Sequence, residues 1–196
     1  VQKVNRFGIP FVIDDGSKDG TYHLAKKAGA NLIQHKKNLG YDQSLESGFD
    51  LVSRKGFKYI ITFDADDQHD PEIITDFVNS LKDGSEIVCG IRNSKPRFAE
   101  IIFSFYTNIR WGIKDPLCGM KGYSINLYKE LGYFDSYKSI GTELLLYALG
   151  KKVNFDQIPV LVNERKDSSR FGSSLKVNLK IIISLLRHLK LIPHKN

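Results

Sequence analysis

Carboxylates and an amide are crowded into one short stretch of the sequence. Asp64, Asp66 and Gln68 follow directly after residues 59–63, an apolar run typical of a buried strand. Carboxylates this close together repel each other unless a positive charge lies among them, and hard divalent cations prefer such oxygen ligands. The stretch therefore predicts a site for a hard divalent cation. The alternative is an acidic loop that only caps the next helix, since Pro71 suits a first helical turn and acids suit a helix N-terminus.

A second acidic turn lies earlier in the chain. Residues 9–14 have the apolar pattern of a buried strand, and Asp14 and Asp15 open a polar turn that leads to a helical pattern after Thr21. Carboxylates at a strand end can accept hydrogen bonds from a ligand. The alternative is again a turn that only caps the following helix.

Strand-like and helical segments alternate up to residue 90. This order predicts βαβ units and an α/β fold of three layers, with a mostly parallel central sheet between helices. Such sheets bind ligands at the carboxyl ends of their strands, where both acidic turns and Arg92 fall. The second half predicts helices over 98–113, about 141–149 and 175–191, and strands over 121–124 and 153–162.

Length and composition favour an ordinary globular protein with an anionic partner. The chain has 196 residues, which we divide into one domain (1–174) and a C-terminal amphipathic helix with its tail (175–196). The 29 basic and 22 acidic residues give a net charge of +7, which favours a nucleotide, a phosphate-bearing acceptor or an acidic membrane surface. A nucleic acid is not expected, because the cations are dispersed and acidic turns occupy the predicted ligand edge. Cys89 and Cys118 are far apart, which predicts reduced thiols and a cytoplasmic protein.

The last predicted helix, 175–191, combines an apolar face with several cations. Such a stripe most often packs into a core. The same combination also occurs in helices that lie on anionic membranes, so contact with a membrane surface is the alternative interpretation. No apolar run approaches the length of a membrane-spanning helix.

Three motifs in order carry a resemblance to a known family. They are VIDDGSKDGT at 12–21, NLG at 38–40 and DADDQHDPE at 64–72, and DPLCG at 115–119, QIPV at 157–160 and RFGSSLK at 170–176 agree further. The sequence resembles the family 2 inverting glycosyltransferases of GT-A fold, with the dolichyl- and polyprenyl-phosphate sugar synthases as the most similar branch. The resemblance extends over nearly the whole chain. It implies a nucleoside diphosphate sugar as donor and a divalent metal, Mg²⁺ or Mn²⁺, on the diphosphate.

The resemblance also implies roles for individual residues. The metal would be held by Asp64, Asp66 and Gln68, with Asp66 as the most direct ligand. The nucleotide would be bound by Asp14, Asp15, Ser17, Asp19, Asn38, Asp64, Ala65 and Arg92. Catalytic roles would fall on Glu143, Asp66 and Arg170. Arg92, Arg170 and Lys176 are the candidates to hold phosphate oxygens, since cationic side chains, and guanidinium groups above all, suit them.

The acceptor decides whether a general base is required. A glycan hydroxyl must lose its proton, and Glu143 is the carboxylate that family position offers for this task. A polyprenyl phosphate is already ionised near neutral pH and needs no base. Many relatives carry Glu-Asp where this chain has Glu143-Leu144, which favours a phosphate acceptor. Such an acceptor would place the protein at the inner face of the cytoplasmic membrane.

Members of this family usually open with a strand that ends in a Pro-x-x-Asn-Glu turn and lines the pocket for the nucleotide base. Residues 1–8 do not supply this turn, so we expect the first strand to be absent from this chain. A second hypothesis follows from this expectation. The protein would then be a non-catalytic or regulatory member that keeps the fold without the base pocket.

Overall fold

The structure is a computed structural model, and it describes residues 1–66, 68–93, 97–162 and 174–191. Within these ranges the strands and helices alternate as predicted up to the fourth strand. The elements are β1 (Phe11–Asp14), α1 (Thr21–Lys27), β2 (Asn31–Gln34), α2 (Tyr41–Arg54), β3 (Tyr59–Thr62), α3 (Ile74–Lys82), β4 (Ile87–Arg92), α4 (Phe98–Trp111), β5 (Lys121–Ser124), α5 (Ile125–Leu131), α6 (Glu143–Gly150), β6 (Phe155–Val160) and α7 (Ser174–Leu191).

Local chemistry fixes several helix ends. Before α3, the carboxylate of Asp70 accepts a hydrogen bond from the N–H of Glu72 (3.1 Å), and a 3₁₀ turn opens at Pro71–Ile73. The predicted capping role of this loop is therefore present at its end, after the residues proposed for the metal. α4 ends at Gly112, whose φ of +79° lies in the left-handed region that glycine adopts readily.

The strands form two hydrogen-bonded units within the described residues. β1 pairs in parallel with β2, and Phe11 lies opposite Asn31. The other unit has the order β3-β5-β4-β6, in which β4 and β6 are parallel and β5 runs antiparallel to both of its neighbours. The predicted α/β class is confirmed. Residues 1–10 contain a 3₁₀ turn at Val4–Arg6 and no strand.

Helices cover both faces of the larger sheet, because successive residues of a strand point to opposite sides. On β4, Ile87 and Cys89 pack into a large core with α2 and α4 to α7, while Val88 packs into a smaller core with α3. All three side chains are fully buried. The layers are therefore those of the predicted α/β/α sandwich.

The buried face of α7 belongs to the large core. Val177, Ile181 and Leu185 pack there, and the helix lies along α4. The predicted helix at 175–191 is thus present as α7, and the face opposite the core is exposed.

Candidate active site

Asp64 follows β3, and its carboxylate is held against the backbone of Gly119. A methyl group on Gly119 would lie 2.1 Å from Oδ2 of Asp64, so only glycine permits this approach. Thr62 fixes the geometry, because its hydroxyl donates to the carbonyl oxygen of Gly119 (2.6 Å) and accepts from the N–H of Lys121 (3.0 Å). The turn at 115–119 is thereby attached to the end of β3.

Asp66 and Gln68 continue the same loop. Ala65 and Asp66 are exposed, Gln68 is half-buried, and the N–H of Gln68 donates to Oδ1 of Asp66 (3.3 Å). This contact between residues two apart forms a short Asx-type turn. His69 is buried beside the ring of Phe63, and its Nδ1 has no hydrogen-bond partner among the described residues.

The donor set of this loop fits a hard divalent cation that is shared with a substrate. Asp64 and Asp66 offer carboxylate oxygens and Gln68 offers an amide oxygen. Within the described part of the chain, which does not include Asp67, no group of three or more His, Cys, Asp or Glu residues could hold a metal ion. Mg²⁺ is usually bound by one or two carboxylates, with substrate phosphate oxygens and water completing the octahedron. The residues therefore fit a cation that arrives with a diphosphate.

Asp15 ties the turn after β1 to the loop before α2. Its Oδ1 accepts from the N–H of Leu39 and its Oδ2 from the N–H of Gly40, both at 2.8 Å. Nδ1 of His35 lies 2.7 Å from Oδ1. Burial would raise the pKa of Asp15, but hydrogen bonds from His35 and from the loop hold it below its ordinary value. Asp15 is therefore an ionised anchor of the loop.

Asp14 and Gly16 close the same turn. The carboxylate of Asp14 accepts from the N–H of Ser17 and from the side-chain amide of Gln34, both at 3.0 Å. Hydrogen bonds from Ser17 lower the pKa of Asp14 although burial opposes them. Gly16 has a φ of +73°, and a methyl group on it would lie 2.7 Å from the carbonyl carbon of Lys37. The two loops are therefore in direct backbone contact.

The polar residues of these two loops differ in how far their side chains are used in contacts within the protein. Asp14 and Asp15 use both carboxylate oxygens to hold the chain itself. Asp19 is exposed and accepts from the N–H (3.0 Å) and the hydroxyl (2.5 Å) of Thr21, and Asn38 is exposed. A cavity of about 390 Å³ beside the turn is lined by Gly16, Ser17, Lys18, Gln34, His35 and Lys36. Nucleotide binding by Asp14, Asp15, Ser17, Asp19 and Asn38 stays a prediction.

Tyr41 links the two acidic turns, and sequence reasoning gave it no role. It follows Gly40, which Asp15 holds, and it is half-buried. Burial raises the pKa of Tyr41, and the nearby charge of Asp64 raises it further. The guanidinium of Arg92 is also close enough to act on Tyr41, in the opposite direction. Asp64 after β3 and Arg92 at the end of β4 therefore both lie close to Tyr41, and Asp15 after β1 holds the preceding residue, Gly40.

Arg92 is held by two buried carboxylates. Its Nε and Nη2 donate to Oδ2 and Oδ1 of Asp115, and Nη2 also donates to Oε2 of Glu100, all at 2.8 Å. Arg97 donates to the other oxygen of Glu100 at 2.8 Å. Burial would lower the pKa of Arg92, but Asp115 and Glu100 raise it above its ordinary value. The guanidinium belongs to an internal ion-pair network, and a phosphate-binding role for Arg92 stays a prediction.

Glu143 is the first residue of α6 and is buried. Its Oε2 accepts from the N–H of Ser136 (2.5 Å), and its Oε1 accepts from the Ser136 hydroxyl (2.7 Å). Burial raises the pKa of Glu143 although these hydrogen bonds oppose it. Both oxygens hold the loop before α6, and the role of Glu143 as a general base stays a prediction.

Sequence reasoning missed two charged residues near the site, the buried Lys121 and the half-buried Asp42. Lys121 donates through Nζ to the carbonyl oxygens of Cys118 (2.7 Å) and Gly141 (3.4 Å), and Asp42 accepts from the N–H of Gly141 (2.6 Å). Together they hold the loop at 135–141 between α2 and β5. Burial lowers the pKa of Lys121 and raises that of Asp42 to about 6. The signal available for Lys121 was a cation at the start of a short predicted strand.

Asp42→Asn is expected to stabilise the protein above about pH 6 and to remove part of its pH dependence. The folded-state pKa of Asp42 is about 6, chiefly because burial disfavours the carboxylate. The stability associated with the protonated group is complete below about pH 4 and is lost as the pH rises through about 6. Asn retains an acceptor for Gly141 and does not ionise, so the gain near pH 7.5 is roughly 1–3 kcal/mol. Urea unfolding of both proteins across this range measures it, and parallel stability curves would contradict the assignment.

Two further predicted contacts can be placed only in part. Arg170, which was predicted to act in catalysis, lies outside the described residues. Lys176 is exposed on the first turn of α7. Cys89 and Cys118 are both free thiols and both buried, in agreement with the predicted reduced state.

A three-layer α/β fold with carboxylates gathered at the carboxyl ends of its strands defines the class of the protein. In this class a nucleotide or another phosphate-bearing ligand binds at that edge of the sheet. Comparison with known proteins narrows the class. Residues 11–131 match glycosyl transferase family 2, and the chain belongs to this family.

Relatives of known activity agree with the family. The UDP-N-acetylglucosamine–dolichyl-phosphate N-acetylglucosaminyltransferase of Methanococcus voltae is 27% identical over an alignment of 207 positions including gaps, which covers 89% of this chain and 82% of that protein. The dolichol-phosphate mannosyltransferase of Pyrococcus furiosus is 30% identical over an alignment of 199 positions including gaps, which covers 91% of this chain and 53% of that protein.

A solved structure shares the fold. Glucosyl-3-phosphoglycerate synthase from Mycobacterium tuberculosis, in complex with Mn²⁺, UDP and phosphoglyceric acid, superposes with a TM-score of 0.76 at 18% identity. The match covers 100% of this chain and 75% of that one. The chain is a family 2 glycosyltransferase of GT-A fold, as the motifs predicted.

Proposed function

We propose that this protein transfers a sugar, with inversion, from a nucleoside diphosphate sugar to a polyprenyl phosphate, using Mg²⁺ or Mn²⁺. The observation that carries the proposal is the carboxylate of Asp64, which is held against Gly119 at the end of β3 with Asp66 exposed beyond it. This arrangement offers two oxygen-bearing side chains at the edge where an α/β sheet binds phosphates. The named relatives supply the acceptor class, since both act on a dolichyl phosphate.

Asp64, Asp66 and Gln68 would hold the cation together with the oxygens of the donor diphosphate. A divalent cation bound there would neutralise the charge that develops on the diphosphate as its bond to the sugar breaks. Asp64 is the pre-positioned member of the set, because Gly119 and Thr62 fix its surroundings. Asp66 is exposed and can adjust to the donor.

The transfer itself requires an oxygen nucleophile opposite the leaving group. An oxygen of the acceptor phosphate attacks the anomeric carbon from the face away from the diphosphate. The new C–O bond forms as the bond to the diphosphate breaks, and the nucleoside diphosphate leaves with the electron pair. The configuration at the anomeric carbon is thereby inverted.

The surroundings of Glu143 support a phosphate acceptor over a hydroxyl. Both of its oxygens accept hydrogen bonds from Ser136, so the carboxylate is occupied in holding a loop. A lipid phosphate is ionised near neutral pH and gives up no proton in the reaction. A lipid acceptor also places the protein at the cytoplasmic face of a membrane.

A transfer assay tests the proposal. The purified protein is incubated with radiolabelled UDP- and GDP-sugars and a short-chain polyprenyl phosphate in detergent, with Mn²⁺, with Mg²⁺ or with EDTA. The expected result is a metal-dependent, organic-soluble labelled product with inverted anomeric configuration. Transfer only to a glycan hydroxyl would refute the acceptor. Nucleotide-sugar binding without transfer to any acceptor would favour the non-catalytic alternative.

A further inference from the structure

Helices α4 and α7 lie side by side and run in the same direction. Near their starts, the N–H of Ala99 donates to Oδ1 of Asn178 (3.1 Å). Near their ends, the ring of His188 packs against the rings of Tyr106 and Trp111, with centroids 6.2 and 5.9 Å apart. The two helices therefore form one ridge on the surface of the domain.

The outer side of this ridge is apolar. On α4, Phe98, Phe105 and Ile109 are 70%, 67% and 70% exposed, and on α7 Leu175 and Leu179 are 84% and 59% exposed. The opposite sides of both helices are already buried in the large core. A surface helix normally presents polar residues on its outer side. The exposed large apolar residues of the ridge, which we call the α4–α7 face, are Phe98, Ile101, Ile102, Phe105, Ile109, Leu175, Leu179, Ile183, Leu186 and Leu189.

Cations line one edge of this face. Four leucines of α7 that belong to the face are each followed in sequence by a cation, which gives the pairs Leu175-Lys176, Leu179-Lys180, Leu186-Arg187 and Leu189-Lys190. All four cations are exposed, and the guanidinium of Arg187 also donates to the carbonyl oxygen of Tyr137 (2.7 Å). The sequence of α7 contains no acidic residue. With 3.6 residues per turn, the cations form a stripe directly beside the apolar one.

We infer that the α4–α7 face docks on the surface of an anionic lipid bilayer. An apolar stripe bordered by cations matches the boundary between lipid tails and negative headgroups. A second copy of this chain fits less well, because the cations would meet no acidic partner on the same face: α7 has no acidic residue and Glu100 of α4 is buried. Among the described helices, none is long and apolar enough to cross a membrane.

The position of the face relative to the candidate site suggests what the membrane contact is for. This step rests on the proposed function. Phe98 follows Arg97, and Arg97 pairs with Glu100, which in turn pairs with Arg92 beside the site. The first residue of the face is therefore connected through two ion pairs to Arg92 at the end of β4. A bilayer bound there would present the phosphate of a lipid acceptor within reach of the carboxyl ends of the strands.

Vesicle flotation tests the inference directly. The full chain is mixed with vesicles of phosphatidylcholine alone and of phosphatidylcholine with about one-third phosphatidylglycerol, without any polyprenyl phosphate. We expect binding to the anionic vesicles, and about tenfold or greater weakening in the variant Phe98→Ser/Phe105→Ser/Ile109→Ser. Lys180→Glu/Lys190→Glu should remove the preference for anionic lipid. These side chains are exposed, so the variants should fold, which circular dichroism checks.

Matched substitutions on other surfaces serve as controls. Leu24→Ser/Leu161→Ser replaces residues that are 68% and 76% exposed outside the ridge, and Lys26→Glu/Lys27→Glu reverses two exposed cations of α1. Both should bind vesicles like the unmodified protein. Absence of vesicle binding, equal loss in the controls, or a dimer that the apolar variant dissociates would each overturn the inference. If the unmodified protein binds vesicles but binds no nucleotide, the proposed function is contradicted and the inference about the α4–α7 face is not.

Discussion

Gly119→Ala is expected to lower sugar transfer by about 100-fold while the chain stays folded. The added methyl group would lie 2.1 Å from Oδ2 and 2.9 Å from Cγ of Asp64, so the carboxylate must move. Its end of the side chain can rotate away at modest cost to stability. A shift of about 1 Å in a group that positions a substrate is enough to produce an effect of this size. Initial rates with a nucleotide sugar and Mn²⁺, together with a thermal melt, measure both parts.

Gly150→Ala is the matched control for this substitution. Gly150 ends α6, and a methyl group on it would have no atom within 4 Å. Activity should be unchanged, and stability should be equal or slightly higher because alanine restricts the unfolded chain. A Gly119→Ala variant as active as the unmodified protein would show that the position of Asp64 is unimportant for transfer.

Asp115→Ala is expected to destabilise the fold by about 3–5 kcal/mol, which is the largest stability effect we anticipate. Asp115 is 0% exposed and accepts from Nε, Nη2 and the backbone N–H of Arg92. Its removal leaves a buried guanidinium with Glu100 as its remaining carboxylate, and Glu100 is shared with Arg97. For a chain of this length the melting temperature should fall by roughly 10 °C.

An exposed ion pair provides the comparison. Asp50 and Arg54 pair on α2 with 45% and 72% of their side chains exposed, so Asp50→Ala should cost about 0.5 kcal/mol or less. Urea unfolding of both variants gives the contrast. Equal costs for the two substitutions would mean that the network around Arg92 does not support the fold.

The alternating half of the fold was predictable because its signals are local. The strand at 59–63 and the turn after it were visible in sequence, and the structure has β3 at Tyr59–Thr62. The short helix Ile125–Leu131 was missed, since a segment of two turns is too short to show a helical period. The antiparallel direction of β5 was also hidden, because strand pairing is decided by contacts that are distant in sequence.

The candidate site likewise combines features that local sequence predicts with contacts that only the fold creates. Asp64 and Asp66 could be chosen from residue type and spacing alone. Their surroundings could not, because Gly119 meets Asp64 across a gap of more than fifty residues in the chain. Asp42 likewise meets Gly141 only in the folded protein. The sequence therefore indicates which groups can do chemistry, and the fold decides which of them are held in place.

The central claim is that the loop after β3 binds a nucleoside diphosphate together with a divalent cation. Thermal melts with UDP and with GDP, each with and without Mn²⁺, test it most directly. At about 100 times the dissociation constant, the ligand pair should raise Tm by roughly 5–10 °C. Asp66→Ala should abolish the metal-dependent part and leave the ligand-free Tm unchanged, because Asp66 is exposed, whereas Asp83→Ala at the end of α3 should respond like the unmodified protein. An Asp66→Ala variant that metal and nucleotide stabilise as fully as the unmodified protein would contradict the account.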